Sequence, residues 1–216
     1  MRTEWVPVSA SALVVGAMAL VLGSLLDPAT GNQNAVQTLQ VVNAQGGRWL
    51  GMSVMYFCAS VALTLGLPAV LSLFTRRARR IGITGVAVFA IGVIGLCGFA
   101  MLLVFFRALA NNDAIRAAAL VSAAHDTGFA VFLYGWIVGF YLGLLLIAIA
   151  LFIARKTPKW VPVLLLVFVA TLPLSSHLGR VGQAVQVLAL AVAFTGIAIA
   201  AVSAEHRREL QREPVF

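Results

Sequence analysis

Apolar residues in this chain neither alternate nor recur at helical spacing against a polar background; they form long runs. Six runs stand out, at residues 8–26, 49–74, 81–106, 128–153, 161–178 and 183–203. At 1.5 Å per residue, about 20 residues span the roughly 30 Å of hydrocarbon in a bilayer. Such a run is a helix, because lipid offers backbone N–H and C=O groups no partner except each other. The pattern predicts an all-α fold: a polytopic membrane helix bundle with six transmembrane helices, forming a single transmembrane domain over residues 1–216. The fifth run is the shortest. The first exceeds the roughly 7–15 residues of a signal-peptide core and has no A-x-A cleavage site after it, so it is expected to remain a membrane helix.

The polar segments between the runs alternate in charge. Arg2, the cluster Arg76, Arg77, Arg79 and Arg80, the cluster Arg155, Lys156 and Lys159, and the group Arg207, Arg208 and Arg212 fall on one side of the membrane. Only Arg48, Arg107, Arg116 and Arg180 fall on the other. Eleven basic residues against four set both termini in the cytoplasm. Trp5, Trp49 and Trp160 lie at run ends, where interfacial aromatics are expected. The two longest connections lie on the opposite side. Val36, Leu39 and Val42 recur at helical spacing within 34–43, and 114–124 follows Asp113 as a candidate N-cap. Both are expected to be short helices on the outer surface, serving as connectors.

Composition narrows the class further. The chain is 62% apolar and 10% charged, where a soluble domain carries about 25% charged residues. That excludes a disordered chain, a coiled coil and a soluble domain. The net charge of +8 comes in short bursts between apolar runs, which fits membrane orientation and not a nucleic-acid partner. Lys occurs only at 156 and 159, and Arg supplies the rest of the positive charge, in keeping with a bacterial plasma (inner) membrane protein. Cys58 and Cys97 sit at similar distances from the turn near Ala78 and so at similar depth. Buried cysteine is commonly a small hydrophobe, and no metal spacing or paired-cysteine motif surrounds either.

Small residues mark helix contacts. Gly135, Gly139 and Gly143, in GWIVGFYLG, share one face of the fourth run, where a neighbouring backbone can approach. Gly82, Gly85, Gly92, Gly95 and Gly98 form a less regular row in the third, and Gly16 and Gly23 lie two turns apart in the first. The segments LSLFTRRARRIGITGVAVF and ALFIARKTPKWVPVLLLVF echo each other weakly, each placing Leu-Phe before a basic turn.

Little in the sequence speaks of chemistry. No acidic residue falls inside a run, which argues against a proton- or ion-coupled pump. No P-loop, dinucleotide fingerprint, H-E-x-x-H or G-x-S-x-G motif occurs. No catalytic residue, metal site or cofactor is predicted. The remaining polar groups cluster at the outer ends: Arg107, His125, Asp126, Ser176, His177 and Arg180 are the candidate ligand-binding residues. Pro173, without an N–H, is expected to kink or unwind the fifth run beside Ser175. Arginines there suit an anionic head group. A shared metal or haem between His125 and His177 fits poorly. Counted from the turn at Thr157, the two differ by twelve residues, or about 18 Å in straight helices.

The order of elements, with GRWLGM after the first outer loop and FIARKTPKWVPVLLLV at the later basic turn, resembles a group of uncharacterised bacterial six-helix integral membrane proteins. The resemblance rests on residues 47–49 and 156–162 and implies the six-helix fold, with no activity attached. The leading expectation is a non-enzymatic multi-pass protein that binds membrane lipids, a partner membrane protein or a second copy of itself. The alternatives are a small-molecule transporter with its site at the outer end of the fifth run, and an intramembrane enzyme or haem protein using the outer histidines.

Overall fold

A computed structural model describes residues 5–28, 34–75, 77–112, 117–171 and 179–210. The fold is all-α: α1 (Trp5–Leu26), α2 (Ala35–Ala44), α3 (Gly46–Ser72), α4 (Arg79–Asn111), α5 (Ala117–Ala124), α6 (Thr127–Ala154), α7 (Trp160–Ala170) and α8 (Gly179–Leu210). Five of these are long and apolar enough to cross a membrane: α1, α3, α4, α6 and residues Val185–Arg207 of α8. α7 has 11 residues and reaches only about 16 Å; beyond Thr171, its C-cap, the predicted fifth run lies outside the described residues.

The long helices and α7 form a closed ring. α1 packs on α3, α3 on α4, α4 on α6, α6 on α7, α7 on α8, and α8 returns to α1. Successive members run antiparallel. The start of α1, the α3–α4 and α6–α7 turns and the end of α8 therefore share one end, here the basic end. The helices α2 and α5 lie at the other, the loop end. Both faces of the ring are apolar. Val15, Leu65, Ile94, Val138 and Ile199 are each more than half exposed on its outside, while Leu13, Leu63, Phe89, Leu144, Ile147, Phe194 and Ile197 are fully buried inside. A helix that is hydrophobic all round is one that lipid can surround.

The seams rest on close backbone approach. Along α4 and α6, a β-carbon on Gly92 would overlap the backbone of Phe140, and one on Gly143 the backbone of Phe89. One on Gly85 would stand 3.0 Å from the amide nitrogen of Ile147. Between α1 and α3, Gly16 lies against the backbone of Leu63, and Gly66 against Leu13. Helices in lipid gain little from hydrophobic burial, so this contact is their main source of association.

Polar side chains add fixed points. The Ser9 hydroxyl accepts from the Ala69 N–H at 2.9 Å and donates to the Leu65 carbonyl at 2.8 Å. Those two groups would be bonded to each other in a regular helix. Pro68 precedes Ala69 inside α3, and a proline ring disturbs the turn before it. A hydroxyl from α1 thus bridges the disturbed turn of α3. Ser60 donates to the Val93 carbonyl at 2.7 Å, and Gln186 to that of Phe168 at 3.2 Å.

Several boundaries and orientations differ from the sequence expectation. α4 runs on past residue 106 to Asn111, so Arg107 lies a full turn inside the helix. Trp49, at the start of α3, is packed into the protein: it is 6% exposed, its indole N–H donates to the Leu103 carbonyl at 3.0 Å, and its ring packs on Phe106. Leu103 and Phe106 of α4 supply this shelter. α2 does more than connect, since Val42 is fully buried in the same cluster as Trp49, Met52 and Leu103. Its start is fixed by a capping box between Asn34 and Gln37. Asp113 lies outside the described residues. Trp5 and Trp160 are exposed at the basic end, as interfacial anchors are. Cys58 and Cys97 are free thiols.

Replacing Gly92 or Gly143 by Ala is expected to cost about 1–3 kcal/mol, the usual penalty of overpacking. Gly98→Ala and Gly135→Ala, where no atom lies within 4 Å of the added carbon, should cost nothing and gain up to about 1 kcal/mol of helix propensity. Thermal unfolding of the four variants in micelles checks this. Equal losses at all four positions would contradict the seam geometry.

Candidate functional site

The polar residues expected at the loop end serve mostly local ends. Ser176 and His177 lie outside the described residues, as do Pro173 and Ser175. Arg180 stands in the first turn of α8, with its side chain outside them as well. Asp126 is the N-cap of α6, its side chain accepting from the Phe129 N–H at 2.8 Å. Nδ1 of the exposed His125 lies 2.8 Å from the Val121 carbonyl oxygen. Both residues fasten the α5–α6 corner. Arg107 faces the α2–α3 turn instead. Its Nε is sealed from solvent without a hydrogen-bond partner among the described residues, packed over Gly46. Of the three glycines singled out on α6, Gly139 lies against Gly92 and Gly143 against Phe89, while Gly135 faces open space.

The structure's own centre is elsewhere. At mid-height and toward the loop end, the ring of helices surrounds a partly open chamber of about 290 Å³. All six members line it: Leu20 and Ser24 of α1, Tyr56 of α3, Leu96 and Phe99 of α4, Trp136, Ile137, Phe140 and Tyr141 of α6, Phe168 of α7, and Val187 and Leu190 of α8. Leu20, Leu96, Phe140, Phe168 and Leu190 are buried. Toward the basic end the ring is instead filled by Phe89, Phe194 and their neighbours.

Aromatic contacts set the chamber walls. Tyr141 stacks on Phe168 with ring centroids 5.5 Å apart and planes 11° from parallel. Phe140 meets Tyr141 edge-on at 5.6 Å and Phe89 at 5.0 Å, and Phe89 meets Phe194 at 6.0 Å. One aromatic file therefore joins α8, α4, α6 and α7. Opposite it, Tyr56 fits into the notch left by Gly23, where a β-carbon would stand 2.6 Å from the ring. Ser24 donates to its own helix at the Val21 carbonyl. Gln186 and Thr171 bond to each other at 3.0 Å, one residue from Val187 and at the end of α7, and satisfy the polar groups nearest Phe168. What faces the chamber is thus a largely apolar, ring-lined surface.

None of these lining residues was singled out from the sequence. One signal was available. The chain has 3 tyrosines, and tyrosine in membrane proteins favours the interface. Tyr56 and Tyr141 instead sit well inside apolar runs, where a hydroxyl needs a reason to be. Among the described residues, no three His, Cys, Asp or Glu side chains converge in a group fit for a metal ion. No protein-family model, no curated protein and no solved structure matches the chain.

The stacked ring and not the hydroxyl of Tyr141 holds the α6–α7 wall. Tyr141→Phe is expected to leave the unfolding midpoint nearly unchanged. Tyr141→Ala should lose about 3 kcal/mol, toward the lower end for a large aromatic since the residue is only part-buried. Chemical unfolding in micelles measures both. Equal losses would assign the stabilisation to the hydroxyl.

Proposed function

We propose that this is a six-span protein of the bacterial plasma membrane, with both termini in the cytoplasm, and that it binds a lipid chain in its central chamber as a non-enzymatic component. The chamber carries this reading. Its volume of about 290 Å³ is at the small end of the roughly 300–1,000 Å³ of ligand pockets, which are mostly apolar with few polar groups. Its lining of aromatic rings and Leu side chains recognises a hydrocarbon or isoprenoid segment and offers an anion or a sugar almost nothing. The topology is supported by the charge at the two ends. Arg77, Arg79, Arg80, Arg155, Lys156, Lys159 and Arg207 share the basic end with both termini of the ring, and a basic end faces the cytoplasm.

Two measurements test the reading. Green fluorescent protein fused to the C-terminus should fluoresce, and alkaline phosphatase fused there should be inactive; the reverse pair would overturn the topology. Native mass spectrometry of protein released from phosphatidylglycerol and phosphatidylethanolamine nanodiscs should show a retained lipid mass. Leu96→Trp, which fills the chamber, should lose that mass while keeping a cooperative thermal transition. Wild-type protein released bare under all release energies would overturn the lipid-binding role.

A further inference from the structure

The α4–α6 seam does not run the full length of the two helices. In antiparallel register Gly85 meets Ile147, Gly92 meets Phe140 and Gly95 receives the β-carbon of Trp136. Gly98 and Gly135 come next and would face each other, yet no atom lies within 4 Å of a β-carbon on either. The helices have parted. Between them lies a groove of about 740 Å³ with glycines as its floor. Its walls include Ile91, Ile94, Val131 and Phe132, which are 63–83% exposed. The groove therefore opens on the outside of the ring, where lipid surrounds a spanning bundle.

Phe99 and Trp136 line the groove and the chamber alike. Their rings lie 5.5 Å apart and 33° from parallel, and they are the partition between the two spaces. We propose that the groove seats one acyl chain of a bilayer phospholipid, and that the Phe99–Trp136 pair is the lateral gate through which that chain reaches the chamber. The inference rests on the lipid-binding reading of the chamber and adds the route.

Three observations favour an acyl chain as occupant. Every residue lining the groove is apolar or glycine, so it holds hydrocarbon and no head group. The groove and the chamber share Phe99 and Trp136 in their linings, so one ring pair stands between them. A helix of a second copy, about 10–12 Å across, can lie on the groove but cannot follow that path, whereas a chain of methylenes can. Finally, Gly98 and Gly135 make no helix contact in return for the helix propensity they forfeit. Their effect is to keep the groove empty of protein. Because the root of Trp136 is seated on Gly95, opening is a swing of the indole about its own torsions and needs no movement of α6.

The test uses the full chain in phosphatidylglycerol vesicles containing a trace of phosphatidylcholine with a diazirine in one acyl chain. Illumination and mass spectrometry map the adducts. Adducts are expected in the groove, at Leu102 and Phe132, and in the chamber, at Tyr56 and Tyr141. In the double variant Gly98→Leu/Gly135→Leu, chamber adducts should fall at least ten-fold with the unfolding midpoint retained. In Phe99→Ala they should rise. If the double variant does not fold, Ile94→Trp narrows the mouth from its exposed side and should give the same fall. Undiminished chamber adducts in a folded, filled variant would overturn the gate and leave the lipid-filled chamber standing. A labelled groove with a bare chamber, in both wild type and Phe99→Ala, would overturn the gate, and the native mass measurement then judges the chamber separately. Chamber labelling by a diazirine fatty acid but not by the phospholipid would overturn the phospholipid as source.

Discussion

The architecture depends on how closely two helix backbones can approach. In water, burying apolar side chains would hold such helices together; in lipid that drive is nearly absent, and dispersion at short range has to replace it. Gly85, Gly92 and Gly143 bring α4 and α6 into backbone contact, and Gly16 and Gly66 do the same for α1 and α3. These two seams are the most extensive in the ring. The remaining helices are placed by them: α3 joins the two pairs, and α7 and α8 close the circle. Where the α4–α6 seam stops, at the Trp136 side chain, the circle widens into the chamber. Fold and void are consequences of one pattern of small residues.

A second constraint fixes rotation. Backbone groups buried in lipid or protein need partners, since an unsatisfied one costs several kcal/mol there. Buried side-chain donors need partners as well, and those that cross between helices find them at carbonyls: Ser9 at Leu65, Ser60 at Val93, Trp49 at Leu103 and Gln186 at Phe168. Each has one geometry in which it can form. Glycine contacts allow sliding and turning; these bonds pin the azimuth. Ser9 is the most informative, because Pro68 creates the disturbed turn that the hydroxyl then occupies. A helix defect on one segment and its repair on another are matched across 60 residues of sequence.

These two constraints explain what could and could not be read from the sequence. Length and apolarity make the long helices plain, because lipid leaves the backbone a single solution. The contact faces of Gly139 and Gly143 were visible too, since small residues break an otherwise uniform surface. Azimuth was not. When a helix is apolar all round, periodicity carries no information about which face turns inward, so Trp49 looked like an anchor at the interface when it is a buried donor. Gly135 shares the row of Gly139 and Gly143, but whether a neighbour is present depends on Trp136, not on the row. The polar ends stand out in a chain with no acidic residue inside an apolar run, yet Asp126 and His125 serve the helix corner. The chamber residues stayed hidden because Phe, Leu and Trp mean the same thing to a hydropathy pattern whether they face lipid, a neighbour or a space.

The size of the chamber sets what leaving it empty would cost. At about 24 cal/mol per Å³, a space of about 290 Å³ would forfeit on the order of 7 kcal/mol of dispersion if it were sealed and left empty. That is comparable with the whole net stability of a typical domain, about 5–15 kcal/mol. Such a loss would favour drawing the chamber walls together. What holds the walls apart is the aromatic file through Phe89, Phe140, Tyr141 and Phe168 together with the Phe99–Trp136 pair, all of them large rings in mutual contact. Rings so arranged stabilise one another and keep a space between them. The bilayer around the ring supplies hydrocarbon at high concentration, and a chain entering that space restores the dispersion that the walls lack. On the lipid-binding reading proposed above, the occupant is part of the packing, and the fold is completed by a molecule that the sequence does not encode.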